Sequence, residues 1–550
     1  MIKRILKTAC LILVGFVVIL IAIAFYLEKA LIINPPIKPV IALSEIDLKA
    51  DDSTRTLGEN WLRKSESGLY ELYVEGKPYE RGFAAGVLTK DLLQFQEETF
   101  QKQIEDLVPS SLYRHVLRYC IGWFNRDLHE HVDEEYKLEI LGLSESAAAD
   151  YDYVGPAFQR MLNYHGAHDI GHALQNMSLV ACTSFATWGD HSEDGELIVG
   201  RNFDFYVGDD FAKNKIIAFY KPEAGYNFMM VTFGGMAGVL SGMNEAGLTV
   251  TINAAKSEIP SSSATPVSLV AREILQYASS IDEAYAIAEK RNMFVAESFL
   301  IGSVKDKRAS VIEKDTKAMA LYVSEDNFII STNHFQSDLL GKSEHNQEHI
   351  RASASAYRHD RVKELIERVP KHNYKSAITI LRDQLGTQDK DIGFGNERAI
   401  NQLIAHHSIV FNPAKQLVWV STSPWQMGKF VCYDLNEIFA MQDAPEKEIY
   451  KKDLIVPEDP FIYDPAFKAY LKGARYRFPF ASKDDMDVDS ITYWNPNSYL
   501  PYMLQGDYYF DRSDYQKATR SYEEALTKVI ATATEKEHIE KNLKRSRENK

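Results

Sequence analysis

Apolar and polar positions change period several times along the chain. A run without charge covers 8–27, behind Lys3, Arg4 and Lys7. Its length matches the hydrocarbon core of a bilayer, so the pattern predicts a membrane anchor over 1–28 with the remainder exported. A signal peptide cleaved after "AIA", Ala22 to Ala24, is the competing reading. "NPPIKP", Asn34 to Pro39, reads as the start of a stiff linker over 29–68 that spaces the body from the membrane. "LYELYVEGKPYERGFAAG" then gives a strand, a turn and a helix start, and apolar residues at helical spacing continue to about residue 175, so 69–181 is expected to be mainly helical.

Near residue 180 the period shortens from helical to alternating. "LVACTSFATW", "LIVGRNFDF", "KIIAFYK", "NFMMVTFGG" and "GLTVTINAA" read as short strands bounded by Gly, Asn, Asp or Pro. A helix over 268–291 follows, with a break expected near Ser279 and Ser280, and "HSIVFNPAKQLVWVSTSP" reads as a late hairpin of the same sheet. Strands covered by helices on either side predict an α+β body over 182–445 with two sheets. After about Glu446 proline and charge interrupt the pattern. Over 446–550 the chain returns to helix, and Gly506, Tyr509, Ala518, Tyr522 and Ala525 stand at the spacing of one tetratricopeptide-like hairpin. A single such unit is expected to pack on the body, with protein-partner docking as the lesser reading.

Composition changes this picture little. With 45% hydrophobic and 25% charged residues the balance is globular, and a net charge of −15 without a basic cluster argues against nucleic acid. "FGGMAG" at Phe233 to Gly238 lacks the lysine and helix of a phosphate loop. No histidine spacing fits a zinc site, so His334, His406 and His407 read as structural or surface residues, and no metal or cofactor is expected. Outside the anchor the cysteines are Cys120, Cys182 and Cys432, an odd and widely spaced set that predicts no disulfide framework. Cys120 and Cys432 read as small buried hydrophobes.

Cys182 differs. It precedes two hydroxyl residues in "ACTSFATWG", with Arg201 and Asp204 close behind in "GRNFDF". No histidine base is assignable near it; His191 lies on an expected turn. The economical alternative makes Cys182 the first residue of a chain, whose own α-amino group takes the thiol proton. That requires the bond between Ala181 and Cys182 to be cut.

"CTSFATWGD", "GRNFDF", "GMNEAGLTVTINA" and "STNHF", in this order and after "GKPYERG" at Gly76 to Gly82, resemble the N-terminal nucleophile hydrolases of the choloylglycine hydrolase and acid ceramidase type. The pattern is most similar to the penicillin acyltransferase family (acyl-coenzyme A:6-aminopenicillanic acid acyltransferase). The resemblance implies a four-layer αββα sandwich, flanked here by the amino-terminal membrane helix and the carboxy-terminal helical extension. It also implies an autoproteolytic Cys182 that afterwards forms an acyl-enzyme. Arg201 and Asp204 match the family's pair beside the nucleophile, Asp204 holding the new α-amino group. Three residues apart on a strand they would point to opposite faces unless a bulge or turn intervenes. Asn253 matches the oxyanion donor and Asn333 a second amide of the site; Arg358 matches the distal arginine, with Arg361 a close alternative.

The implied activity is cleavage or transfer of the acyl group of an N-acyl amide or acyl thioester. Relatives act on bile-salt amides, ceramides, N-acylethanolamines or penicillins, and a membrane anchor would favour a lipid-like acyl chain. The competing class is a membrane-tethered scaffold or binding protein on a degenerate form of the same fold, and a peptidase would differ only in its pocket.

Overall fold

A computed structural model describes residues 2–51, 53–166, 169, 181–206, 208–256, 258, 260, 262–477, 483 and 485–549. Its strands, in chain order, are β1 (Lys49–Ala50), β2 (Thr54–Leu57), β3 (Asn60–Lys64), β4 (Tyr70–Gly76), β5 (Thr183–Thr187), β6 (Ile198–Phe203), β7 (Ile216–Pro222), β8 (Phe228–Thr232) and β9 (Ser241–Asn244). They continue with β10 (Leu248–Ala255), β11 (Ala296–Ser303), β12 (Arg308–Lys314), β13 (Met319–Tyr322), β14 (Phe328–Ser331), β15 (His407–Asn412), β16 (Leu417–Ser421) and β17 (Phe430–Asp434). One sheet of 11 strands runs β1-β2-β3-β4-β7-β8-β9-β10-β11-β12-β13, and a second of 6 runs β14-β5-β6-β15-β16-β17. Every pairing is antiparallel except β4 with β7.

Alternation along the strands explains the layering. In β7, Ile217 and Phe219 pack with Met229, Val231 and Leu300 against Val199, Ile409, Phe411 and Val420 of the second sheet, forming the core between the sheets. Ile216, Ala218 and Tyr220 point the other way, onto a core shared with the helices Pro78–Leu88, Glu134–Ser144 and Val267–Tyr277. On the far face of the second sheet, Phe185, Ile198, Val410 and Trp419 meet Val362, Ile366, Ile378 and Leu381 of the helices Ser355–Arg368 and Tyr374–Leu381. The body is therefore helix–sheet–sheet–helix, with both sheets buried on both faces. The expected break in the helix after β10 falls at Ala278 to Ser280, where the Ser280 hydroxyl caps the helix Ile281–Lys290.

Two expectations need correction. The stretch 29–68 is not a spacer: it holds β1, β2 and β3, and Ile33 and Ile41 are buried in the body, Ile33 N–H donating to Gln159 Oε1 at 3.1 Å. Strands of 2 to 5 residues carry too few alternations to stand out from a polar background. The anchor expected over 1–28 gains no support, because among the described residues no helix is long and apolar enough to cross a membrane. That stretch forms the helix Ile2–Ala30, with Ile5, Leu11, Ile12 and Phe16 exposed; the side chains of residues 20–25, 27 and 28 lie outside the described residues. So do residues 170–180, the last part of the expected helical segment.

Beyond the second sheet the helices Leu500–Asp511 and Tyr515–Thr527 form a hairpin. Gly506 faces the Tyr522 ring closely enough that an added Cβ would sit 2.5 Å from it, and Tyr522 Oη donates to Asp507 at 2.7 Å. The helix Ala533–Glu548 closes the hairpin through Ile539 and Leu543.

Candidate functional site

Cys182 stands one residue before β5, an inner strand of the second sheet, and is completely buried. Ser184 lies opposite Arg201 in the β5–β6 register, so the two side chains share a face, the one turned toward the first sheet. From there Arg201 crosses the interface. Its Nη1 donates to Leu240 O at 2.8 Å and to Ser241 Oγ, its Nη2 to Ile252 O, and the same Nη2 lies 3.5 Å from Cys182 Sγ. The guanidinium rests on the Phe203 ring at 4.4 Å.

The geometric objection to Arg201 and Asp204 sharing a site is met by the end of the strand. β6 stops at Phe203, and Asp204 lies beyond it, its carbonyl accepting from Ala181 N–H at 3.0 Å. Its carboxylate is fully buried; Oδ2 is 3.5 Å from Gln402 Nε2, and Oδ1 has no hydrogen-bond partner among the described residues. Burial pushes its pKa up to about 7, against the pull of Arg358, Arg477 and Arg201. Burial likewise raises the Cys182 thiol to about 11, with Arg201 opposing.

Arg358, on the helix Ser355–Arg368, reaches the nucleophile from the other side. One nitrogen, Nη1, donates to Ala181 O at 3.1 Å, Cys182 O at 2.7 Å and Thr183 Oγ1 at 2.8 Å, while Nη2 donates to Asn333 Oδ1 at 2.8 Å. Asn333, just past β14, donates from Nδ2 to Ala254 O at 2.9 Å. Asn253, on β10 of the facing sheet, accepts from Ser184 Oγ at 2.8 Å and donates to Ser331 O at 2.9 Å, which leaves one amide hydrogen uncommitted by these bonds. Arg361 lies outside this constellation and pairs with Asp383 at 2.9 Å and Asp389 at 2.9 Å. The two hydroxyls after Cys182 thus have separate work: Thr183 receives Arg358, and Ser184 joins the two sheets through Asn253.

Sequence reasoning passed over several neighbours. Gln402 Nε2 donates to Ala181 O at 3.0 Å, and Arg477 Nη1 donates to the Gln402 carbonyl at 2.7 Å. Glu297 on β11 is fully buried, neither oxygen has a hydrogen-bond partner among the described residues, and burial with the nearby Asp169 holds it protonated well above the usual carboxylate range. His406 and His407 are buried, not on the surface; His407 Nε2 is 2.8 Å from Ser241 Oγ, the hydroxyl that Arg201 grips. None of these residues sits in a short motif, and folding alone brings them into the surroundings of Cys182 and Arg201. Of the four cysteines none is paired: Cys182 and Cys432 are buried and Cys10 is exposed, and Cys120, expected in the core, is exposed as well. Among the described residues no group of three or more His, Cys, Asp or Glu is placed to hold a metal.

Beside Arg201 lies a small apolar cavity of about 50 Å³, walled by Phe203, Leu240, Phe100, Phe205, Phe211 and Phe233. Phe203 and Leu240 are the two residues it shares with the Arg201 contacts.

The chain resembles a known family: the model described as acyl-coenzyme A:6-aminopenicillanic acid acyl-transferase matches residues 191–422, beginning nine positions past Cys182. An uncharacterized protein of Archaeoglobus fulgidus is 27% identical over 276 residues, 46% of this chain and 45% of that protein. Protein dcd1B of Dictyostelium discoideum is 20% identical over 276 residues, 47% of this chain and 52% of its own. The chain thus spans about half the length of these curated relatives. Among solved structures, a Caenorhabditis elegans ortholog of N-acylethanolamine-hydrolyzing acid amidase is 18% identical, covering 42% of this chain and 93% of its own with a TM-score of 0.31. A mutant conjugated bile acid hydrolase from Clostridium perfringens is 15% identical, with coverages of 49% and 96% and a TM-score of 0.34. At such scores the four-layer assignment rests on the strand order and cores of this chain itself.

Proposed function

We propose that the chain cuts itself before Cys182 and then acts as a cysteine amidohydrolase or acyltransferase on an N-acyl amide with an apolar acyl group. An acyl amidase or acyltransferase of the N-terminal nucleophile type is the activity the family match supports. The observation that carries the finer reading is the pair of arginines on either side of one bond: Arg201 lies on the Cys182 thiol, and Arg358 donates to the Ala181 carbonyl.

With its pKa near 11, the thiol is protonated at neutral pH in the uncut chain and is a poor nucleophile toward outside substrates. Cutting the bond frees an α-amino group, whose ordinary pKa of about 7.7–8 suits it to take the thiol proton. Asp204 acts electrostatically on Cys182, and in this reading its carboxylate holds that amine. The thiolate attacks the substrate carbonyl, the amide side chains of Asn253 and Asn333 stabilise the tetrahedral oxyanion, and the amine leaves as the thioester forms. Water or a second amine then takes the acyl group. The cavity beside Arg201 supports an apolar acyl chain, since its walls are almost wholly aromatic and aliphatic.

Intact mass and amino-terminal sequencing of the purified protein, beside Cys182→Ala, test this reading. The wild type is expected to yield a fragment beginning at Cys182, while the variant stays whole at 62.6 kDa. A folded wild type that stays whole would remove the base and with it the proposed enzyme, leaving a binding protein on this fold.

A further inference from the structure

The Ala181 carbonyl oxygen accepts two side-chain N–H groups, from Arg358 Nη1 at 3.1 Å and from Gln402 Nε2 at 3.0 Å. Gln402 is fully buried, and its own Oε1 has no hydrogen-bond partner among the described residues. What the side chain does here is donate, to Ala181 O and, at 3.5 Å, to Asp204 Oδ2.

Gln402 is also held with unusual care. Leu403, which follows it, is a non-glycine residue at φ +55°, a left-handed conformation that persists only where its surroundings impose it. Those surroundings are specific. Leu403 N–H donates to Asn401 Oδ1 at 3.0 Å, and the Leu403 side chain packs with Met427, Phe467 and Tyr470. Arg477 then fixes the Gln402 carbonyl at 2.7 Å. Phe467, Tyr470 and Arg477 all belong to the segment after residue 446, so the carboxy-terminal extension, together with Asn401 and Met427 of the body, sets the position of this amide.

We infer that Gln402 is a catalytic residue of the self-cleavage, forming with Arg358 the oxyanion cradle on Ala181, and that Arg477 is its positioning residue, which ties the cut to docking of the carboxy-terminal extension. This rests on the proposed attack of Cys182 on the preceding carbonyl. In that step Sγ bonds to the Ala181 carbonyl carbon, and the carbonyl π pair moves onto oxygen, between the Arg358 and Gln402 donors. Collapse breaks the bond from carbon to the Cys182 nitrogen, and the thiol proton ends on that nitrogen. The product is a thioester with a free α-amine. Water then adds to the thioester, returning the thiol and releasing Ala181 as a carboxylate. Two donors already aimed at the oxygen before it becomes an anion need no reorganisation during the reaction.

The test follows self-cleavage of freshly synthesised full-length chain over time by gel and intact mass. Wild type, Gln402→Leu, Gln402→Met, Arg477→Met and Arg477→Lys are compared, each also carried on Cys182→Ala so that folding of the uncut chain is measured by thermal unfolding. Loss of one such donor is expected to slow cutting by about 10²–10³-fold in both Gln402 variants while the uncut versions unfold at the parent temperature. Arg477→Met should slow it by about 10-fold, one lost hydrogen bond to a charged group, and Arg477→Lys should restore most of the rate, which a purely structural loss would not predict. If the wild type is not cut, the proposed self-processing itself fails. If it is cut and both Gln402 variants keep pace within threefold, the inference alone is overturned. Unfolding of both uncut Gln402 variants would assign the residue to the fold and overturn it as well.

Discussion

At Asp204 a single buried carboxyl sets a pH dependence that can be read separately from catalysis. Its pKa, pushed up to about 7 by burial, lies above the ordinary carboxylate value, so the folded chain favours the protonated acid. The contribution is fully present below the unfolded pKa near 4 and is lost as pH rises toward 7. On the uncut Cys182→Ala background, Asp204→Asn should therefore raise the unfolding temperature at pH 8 and leave it nearly unchanged at pH 4. Glu71, buried beside Arg63 and also raised to about 7, stays in both chains and cancels in the comparison. Cys182, Arg201 and Asp204 were legible because they lie on, or one residue outside, the strands of one β-hairpin, in two short motifs. Gln402, Arg477 and Glu297 were not, because each acts far along the chain, 75 residues from Arg477 to Gln402 and 221 from Gln402 to Ala181, and nothing in its local sequence marks it. Arg358 and Arg361 were inseparable by spacing; the structure sends one to the nucleophile and the other to Asp383 and Asp389.

Between elements, the "GKPYERG" motif has a packing explanation that needs no chemistry. The helices Pro78–Leu88 and Glu134–Ser144 touch backbone to backbone: a Cβ on Gly82 would lie 1.9 Å from Glu139 O, and one on Gly142 would lie 2.4 Å from Phe83 N. The close approach brings Arg81 within 2.8 Å of Glu139, whose other oxygen takes Arg272 at 3.0 Å. This buried trio also gives Arg81 an anchor at Gly76 O, 2.8 Å away, which closes the turn after β4. Gly82→Ala should part the helices and cost about 3 kcal/mol, read as a lower urea midpoint, although alanine is the better helix former. Helix periodicity was clear enough to predict both segments. It could not reveal that Glu139, fully buried, faces two arginines instead of water.

Across the whole molecule, the extension after residue 446 grips the stretch 391–398 that leads into Gln402. Phe394 exchanges two hydrogen bonds with the Asn495 side chain, at 3.0 and 2.8 Å, Asn396 donates to Val529 O at 2.9 Å, and Arg398 donates to Ala531 O at 3.0 Å. Gly393, at φ +75°, leaves no room for a side chain, since a Cβ would stand 2.4 Å from Ser498 N. Gly393→Ala should loosen this seam, so that limited proteolysis releases a carboxy-terminal fragment earlier than from wild type and self-cleavage slows with it. The layered body was legible from alternating strands. The seam was not, because its contacts are mostly between side chains and backbone carbonyls, which leave no periodic trace.

The mixed sheet carries one more consequence. Strands β1 to β4 precede Cys182, β7 to β13 follow it, and the two groups are sewn together by the parallel ladder of β4 on β7, from Tyr70 with Ile216 to Gly76 with Pro222. A chain cut before Cys182 would become two polypeptides sharing a single sheet, an assembly whose order of construction is recorded in its shape. Heat would erase that record. Once unzipped, the pieces would meet again only as strangers in solution, so the working enzyme would be a product of its history, made once and not remade.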